Sequence, residues 1–177
     1  IDKHVKDNRL LPIGWTSKGP AGMVYVEATR PHGEAAKDPD YRLSRDDLTA
    51  WERRHGRLPD NGCVAMQSGW ARHVGDTAKY VGKDANGVMH FPGVDPDATA
   101  WLLKQRKVAG LAVDTLSLDP GASKDFKTHV LWLGSGRWGL ENVANLDSVP
   151  AAGATLVVGL AKVKGGTGGA ARLFALV

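Results

Sequence analysis

Two short, uninterrupted apolar runs constrain the fold of this chain more than any other feature. Residues 63–66 and 109–113 contain only apolar side chains and glycine, and each run is too short for a helix but has the length of a buried strand. A β-rich run over residues 23–29 and two late runs, over 154–163 and 171–177, are further strand candidates. Helical segments lie between the earlier runs. The sequence therefore predicts an α/β fold, a single domain in which helices flank a mixed β-sheet.

Both predicted helices have clear start signals. Ser44 is a good N-cap of the capping-box type, and Gly56 marks the end of the first helix. Asp95 caps the second helix, and Pro96 takes its first helical position, where the missing N–H of proline costs nothing. We expect a long loop over residues 71–93, before this second helix.

Composition and charge exclude several classes of protein. The 177 residues include 23 Lys and Arg, 19 Asp and Glu, and a single Cys. One Cys rules out an internal disulfide framework and a zinc site built from cysteines. The net charge of +4 is scattered along the chain without a basic stripe, so we expect no nucleic-acid partner.

The hydropathy pattern bears on the compartment. The longest apolar run, residues 151–161, is far shorter than the roughly 20 residues of a membrane span, so no membrane partner is expected. The first residues are polar, which is not typical of a signal peptide, and we expect a cytoplasmic protein. Because the chain begins with Ile1 instead of Met, its N-terminus is expected to be processed or trimmed, and export stays open.

Two motifs that can indicate chemistry are weak here. The pattern Gly-x-Gly-x-x-Gly at residues 134–139 has no room for a helix before Pro150, and no acidic residue follows at the distance that a dinucleotide site needs. A tight turn is the better interpretation. Ser68 lacks the flanking glycines of a nucleophile elbow. It can orient a substrate or a water, but capping is the commoner role of a serine at a strand end.

His129 and Glu141 lie in an otherwise apolar segment over residues 128–143. A buried imidazole or carboxylate must be paired, hydrogen-bonded or bound to a metal, because an isolated buried charge is costly. Spacing alone leaves three interpretations open: a structural His–Glu pair, two unrelated surface groups, or shared ligation of a metal.

Several strings of the sequence are specific in combination. Asp-Thr-x-Ser-x-Asp-Pro occupies residues 114–120, and Gly-Leu-Glu-Asn-Val occupies residues 139–143. Shorter matches occur at residues 40–43, 68–70, 90–93 and 165–169. Together they resemble the metal-dependent cyclase family, which contains kynurenine formamidase-like and isatin hydrolase-like enzymes. The resemblance covers the chain from Val24 to the C-terminus.

This resemblance implies a fold, a reaction and a ligand pair. The fold is the swivelling β/β/α arrangement, and the reaction opens an amide bond of an aryl formamide, a cyclic amide or an imide with metal-activated water. In formamidase-like members a His and a Glu twelve residues later bind the metal, and His129 and Glu141 match that pair. The implied metal is Zn or Mn. Trp70 and Phe91 are candidates for an aromatic substrate wall and Ser68 for substrate binding, although core packing explains the two aromatic residues as well.

The resemblance also implies a homo-oligomer, a dimer or a tetramer, that acts on a small-molecule amide. One part of the family pattern is not present in these 177 residues. The family's main signature, an N-terminal His-x-Gly-Thr-His-x-Asp-x-Pro-x-His string, supplies most metal ligands and the general base. We therefore divide the chain into an arm of unclear origin over residues 1–22 and a cyclase-family domain over residues 23–177 that is incomplete on its N-terminal side.

Two ligands are fewer than the three protein ligands that a catalytic metal usually has. Three explanations are open. The upstream segment was cleaved or omitted, another chain supplies it, or the protein is a catalytically inactive cyclase-fold binding or scaffold protein.

Overall fold

The computed structural model describes residues 22–27, 38–161, 164 and 168–177. The arm predicted over residues 1–22 lies outside the described residues except for Gly22. The strands are β1 Gly22–Glu27, β2 Arg42–Leu43, β3 Cys63–Gln67, β4 Gly93–Val94, β5 Gly110–Val113, β6 Trp138–Leu140, β7 Ala154–Leu160 and β8 Ala171–Leu176. The α-helices are α1 Arg45–His55, α2 Thr77–Val81, α3 Pro96–Gln105 and α4 Lys127–Gly134.

Six of these strands form one sheet in the order β6-β5-β3-β1-β7-β8. The first four run parallel to one another, whereas β7 pairs antiparallel with both β1 and β8. β2 and β4 form a separate two-stranded parallel sheet. The α/β fold with a mixed sheet, predicted from the alternation of helices and apolar runs, is confirmed.

The helices begin where the capping residues predict. Ser44 Oγ accepts the backbone N–H of Asp47 at 3.2 Å, and Asp47 Oδ2 accepts the backbone N–H of Ser44 at 2.8 Å, which completes the capping box. Gly56 ends α1 with a φ of 88°, a conformation that favours glycine. Asp95 Oδ1 accepts the backbone N–H of Asp97 at 2.7 Å at the start of α3.

One sequence prediction of local structure is wrong, and one helix was not predicted at all. The segment expected to be a loop over residues 71–93 contains most of the 3₁₀ helix Trp70–His73, all of α2 and the first residue of β4. Asp76 caps α2 by accepting the backbone N–H of Lys79 at 3.2 Å, a signal that the interpretation as a loop overlooked. The sequence also gave no prediction for α4.

Apolar residues fill both faces of the sheet. Along β3, Val64 and Met66 belong to a core cluster with residues of α1, α3 and α4, whereas Cys63 and Ala65 belong to a second cluster with residues of β7. This alternation follows from the two-residue period of a strand. None of the helices that the structure describes is long and apolar enough to cross a membrane.

Candidate metal centre

His129 lies in the first turn of α4, and the buried carboxylate of Asp119 holds that turn. Asp119 Oδ1 accepts the backbone N–H of Thr128 at 2.9 Å, and Oδ2 accepts the backbone N–H of His129 at 3.0 Å. Phe126, at the usual N-cap position, adopts a left-handed conformation and makes no side-chain cap. A carboxylate at a helix N-terminus pairs with free N–H groups and interacts favourably with the helix dipole. Asp119, on the loop after β5, therefore supplies the missing cap.

The imidazole of His129 lies between two carboxylates. Its Nδ1 is 2.6 Å from Asp119 Oδ2, and its Nε2 is 3.1 Å from Glu141 Oε1. Glu141 directly follows β6, and its Oε1 also accepts the backbone N–H of Leu118 at 3.0 Å. The side chain of Asp119 is 1% exposed, that of His129 27% and that of Glu141 34%. The structure thus brings together the two residues that the sequence singled out, at a place partly open to solvent.

The two carboxylates change the acidity of this imidazole. The hydrogen bond to Glu141, reinforced by the one to Asp119, raises the pKa of His129 above 6.5, against the opposing effect of partial burial. A protonated imidazole donates to both carboxylates, whereas a neutral one has a single N–H and donates to only one of them. In the neutral form a nitrogen lone pair therefore faces a carboxylate oxygen, and a cation between these two atoms relieves the repulsion.

This donor set fits part of a divalent metal site. Imidazole nitrogen and carboxylate oxygen are ligands that Zn²⁺ and Mn²⁺ accept, and metal-binding histidines usually place their other ring nitrogen on a carboxylate or carbonyl. Within residues 22–27, 38–161, 164 and 168–177, no group of three or more His, Cys, Asp and Glu side chains is arranged to hold a metal ion. The described residues therefore bring together two side chains of metal-binding type, with a third carboxylate hydrogen-bonded to the histidine.

A cavity of about 630 Å³ opens beside this pair. His129 and Glu141 line it together with the rest of the segment 139–145 and with residues 168–173, where β8 begins. Small-molecule sites have volumes of about 300–1,000 Å³. The cavity is therefore large enough for a small organic molecule next to the His–Glu pair.

The three residues predicted to bind substrate are packed into the interior. Ser68 is 4% exposed, and its Oγ donates to Asp114 Oδ1 at 2.6 Å. Trp70 is 6% exposed and donates through Nε1 to the carbonyl of Tyr80 at 2.8 Å. Phe91 is 2% exposed and packs in one cluster with Trp70 and Tyr80. None of the three lines the cavity described above, and a substrate contact from Ser68, Trp70 or Phe91 stays a prediction.

Sequence reasoning missed two residues that hold the site. Asp119 belongs to the Asp-Thr-x-Ser-x-Asp-Pro string, but nothing in that string shows that its carboxylate reaches a helix further along the chain. The hydroxyl of Tyr80 lies 3.1 Å from the carbonyl oxygen of Asp114 and 2.9 Å from Asn142 Oδ1, so it joins the loop after β5 to the residue next to Glu141. No local signal pointed to Asp119, because its role depends on α4, which the sequence did not predict and whose free N–H groups take their partner from elsewhere in the chain.

Comparison with known proteins defines the class to which the chain belongs. The profile of the family described as "Putative cyclase" matches residues 12–120, more than half of the chain. This protein is a member of the cyclase family, as the strings around residues 114–120 and 139–143 indicated.

Within that class, several isatin hydrolases are similar to this chain. An isatin hydrolase from Roseibium aggregatum is 36% identical over 148 residues, which cover 81% of this chain and 56% of that protein. The crystal structure of an isatin hydrolase bound to the product analogue thioisatinate matches with a TM-score of 0.82 and 32% identity, over 93% of this chain and 67% of that chain. Isatin hydrolase A from Ralstonia solanacearum matches with a TM-score of 0.81 and 34% identity, over 88% of this chain and 59% of that one. The chain thus spans a little over half the length of the curated relative.

Proposed function

We propose that this protein is a metal-dependent hydrolase that opens the amide bond of a cyclic amide or imide of the isatin type. The observation that carries the proposal is the convergence of His129 Nε2 and Glu141 Oε1, 3.1 Å apart, at the wall of a cavity of about 630 Å³. Similarity to isatin hydrolases favours a cyclic substrate over the linear aryl formamide that the sequence left equally open.

In this proposal His129 and Glu141 are two of the ligands of a divalent metal, Zn or Mn. When bound, such a metal acidifies a water molecule and polarises a carbonyl group. The chain itself holds the two ligands in place. Asp119 fixes the ring of His129, and the backbone N–H of Leu118 fixes the carboxylate of Glu141. The cavity beside them binds and orients the ring of the substrate.

A catalytically inactive scaffold is the alternative that the sequence left open. In such a protein, His129 and Glu141 would form only a structural ion pair. The similar proteins favour the hydrolase, because each of those described above is named a hydrolase.

The test measures metal content and hydrolysis on the purified full-length gene product, with whatever segment is encoded upstream of Ile1, and on four variants of it. We expect the wild type to bind Mn²⁺ or Zn²⁺ in calorimetry and to consume isatin, followed by its visible absorbance. Glu141→Gln and His129→Gln should lose both properties while keeping the thermal unfolding profile. Asp147→Asn and His73→Gln are the matched controls, because Asp147 is exposed, His73 is half-buried and neither lines the cavity, and they should behave like the wild type.

Two results would contradict the proposal. One is a wild-type protein that takes up no divalent metal and leaves both isatin and an N-formyl aniline intact. The other is hydrolysis that survives in Glu141→Gln at the wild-type rate. Hydrolysis of the formyl anilide with no action on isatin would retain the metal site and correct the substrate class.

We also propose a homo-oligomer, a dimer or a tetramer. Light scattering on the protein as it leaves a size-exclusion column measures its mass directly. A monomer at all concentrations would contradict the proposed oligomer.

A further inference from the structure

The neutral form of His129 has two places for one proton. Asp119 Oδ2 lies 2.6 Å from Nδ1, and Glu141 Oε1 lies 3.1 Å from Nε2, so either carboxylate can accept this proton. Only the form with the proton on Nδ1 leaves the Nε2 lone pair free to bind a cation beside Glu141. The site can therefore bind a metal through Nε2 only when the ring proton lies on Nδ1, in the hydrogen bond to Asp119.

Asp119 forms the stronger of the two possible hydrogen bonds with the ring proton of His129. Its side chain is 1% exposed, while that of Glu141 is 34% exposed and is in contact with water. A charged hydrogen bond is stronger where water is excluded and where it is short. The geometry at Asp119 is also fixed, because the same carboxylate accepts the backbone N–H groups of Thr128 and His129.

We propose that Asp119 is a positioning residue that keeps the proton of His129 on Nδ1 and so presents Nε2 to a divalent cation shared with Glu141. This inference rests on the proposed metal-dependent function. It assigns to one buried carboxylate both the cap of α4 and the tautomer of the histidine that α4 carries.

An Asp119→Asn variant disturbs both tasks, because both oxygens of this carboxylate accept a backbone N–H of α4. Asparagine has one acceptor oxygen and one NH₂ donor in place of two acceptor oxygens. If the oxygen faces His129, the NH₂ group opposes the backbone N–H of Thr128. If the oxygen faces Thr128, the NH₂ group opposes the backbone N–H of His129 and donates to Nδ1, so the ring proton moves to Nε2. Both arrangements weaken the start of the helix, and the second also places a proton on Nε2, the atom that would bind the metal.

Asp114 offers a matched control. It is also 1% exposed, and its carboxylate also accepts three hydrogen bonds, from the backbone N–H and Oγ of Ser68 and the backbone N–H of Trp70. It makes no contact with His129. Asp114→Asn should therefore cost stability by the same physical mechanism without moving the ring proton.

The experiment reads the tautomer directly. Imidazole nitrogen shifts are measured by long-range proton–nitrogen NMR on the whole metal-free chain, at a pH above the pKa of His129, and Mn²⁺ and Zn²⁺ affinities are measured by calorimetry. We expect the wild type and Asp114→Asn to show the proton on Nδ1. Asp119→Asn should show a gain of the Nε2-protonated form and about 10–100-fold weaker metal binding. Asp119→Glu, which keeps a carboxylate, should restore part of the affinity.

These measurements test the role of Asp119 independently of whether the protein hydrolyses an amide. A wild-type protein with the proton on Nε2 overturns the proposal, even if Asp119→Asn does not fold. Unchanged metal affinity in a folded Asp119→Asn also overturns it, as does an equal loss of affinity in Asp114→Asn. If the wild type binds metal through Nε2 with the proton on Nδ1 but hydrolyses no amide, the proposed function fails and the role of Asp119 stands.

Discussion

Replacing Gly93 with Ala tests how firmly the loop that carries Asp119 is held. A Cβ at Gly93, in β4, would lie 2.2 Å from the backbone N of Pro120 and 2.4 Å from the carbonyl carbon of Asp119. Both are main-chain atoms, which cannot rotate away as the end of a side chain can. Overpacking of this kind costs about 1–3 kcal/mol in the free energy of unfolding. For a domain of this size each kcal/mol lowers the Tm by about 2–4 °C, so we expect a fall of about 2–12 °C.

The same substitution should weaken metal binding. Contacts closer than 3.4 Å are rare for a Cβ, so the loop would have to retreat from β4 by about 1 Å. The hydrogen bond from His129 Nδ1 to Asp119 is 2.6 Å long, and such a retreat stretches it past the range of a good hydrogen bond. We expect lower Mn²⁺ affinity together with the lower Tm.

Gly75→Ala is the control. Nothing lies within 4 Å of a Cβ at Gly75, and its φ is not in the left-handed region. Such a change should leave stability unchanged or raise it by about 0.4–1 kcal/mol. Thermal unfolding followed by circular dichroism and calorimetric titration with Mn²⁺ measure both effects. If Gly93→Ala unfolds at the wild-type temperature, the tight contact is refuted; if it unfolds earlier but binds Mn²⁺ normally, the loop does not hold the site.

Three further predictions concern other parts of the structure. Glu52→Gln should lower the unfolding free energy at neutral pH by about 1.5–3 kcal/mol, because Glu52 accepts two hydrogen bonds from Arg106. Hydrogen bonding to Arg106 lowers the pKa of Glu52 below 4.5. The stabilisation is therefore present above pH 4.5 and lost as the pH falls through the lowered pKa. Equal urea midpoints for the wild type and Glu52→Gln at neutral pH would contradict this prediction. The hydrogen bond to Asp40 raises the pKa of His90 above 6.5. The stabilisation of the fold by this pair is therefore fully present below pH 6.5 and is lost as the pH rises through the raised pKa. His90→Gln should remove this part of the pH dependence of Tm. The thiol of Cys63 is 1% exposed and burial raises its pKa, so a thiol reagent should react only on unfolding, and rapid labelling of the native protein would refute this.

The elements that the sequence predicted well are those with neighbouring signals. α1 has its cap at Ser44 and its stop at Gly56, and α3 has Asp95 and Pro96 side by side. In each case a few consecutive residues determine where the helix begins, so the pattern is readable without tertiary structure.

α4 could not be predicted in the same way because its cap is not local. The residue before it, Phe126, offers no hydrogen-bond acceptor in its side chain, and the carboxylate of Asp119 takes that role only after the chain has folded. The pairing of His129 with Glu141 was one of three open interpretations for the same reason. Their separation of 3.1 Å depends on α4 and β6 lying next to each other, which sequence spacing does not fix.

The predicted aromatic wall shows a different limit. Trp70 and Phe91 occur beside glycine or polar residues, a context typical of loops and of binding sites alike. Both are buried with Tyr80, and the Nε1 of Trp70 is satisfied by a backbone carbonyl. Composition around an aromatic residue does not reveal whether its ring faces a cavity or the interior.

The loop after β5 has a consequence for anyone who redesigns this protein. Its two buried acids, Asp114 and Asp119, bind different elements, one the residue after β3 and the other the start of α4. Grafting only a histidine and a glutamate onto a new scaffold would leave the imidazole free to rotate. The transplantable part is the whole stretch from the first acid to the second, together with the helix it anchors, and a one-residue insertion between the two acids should break at least one of the attachments.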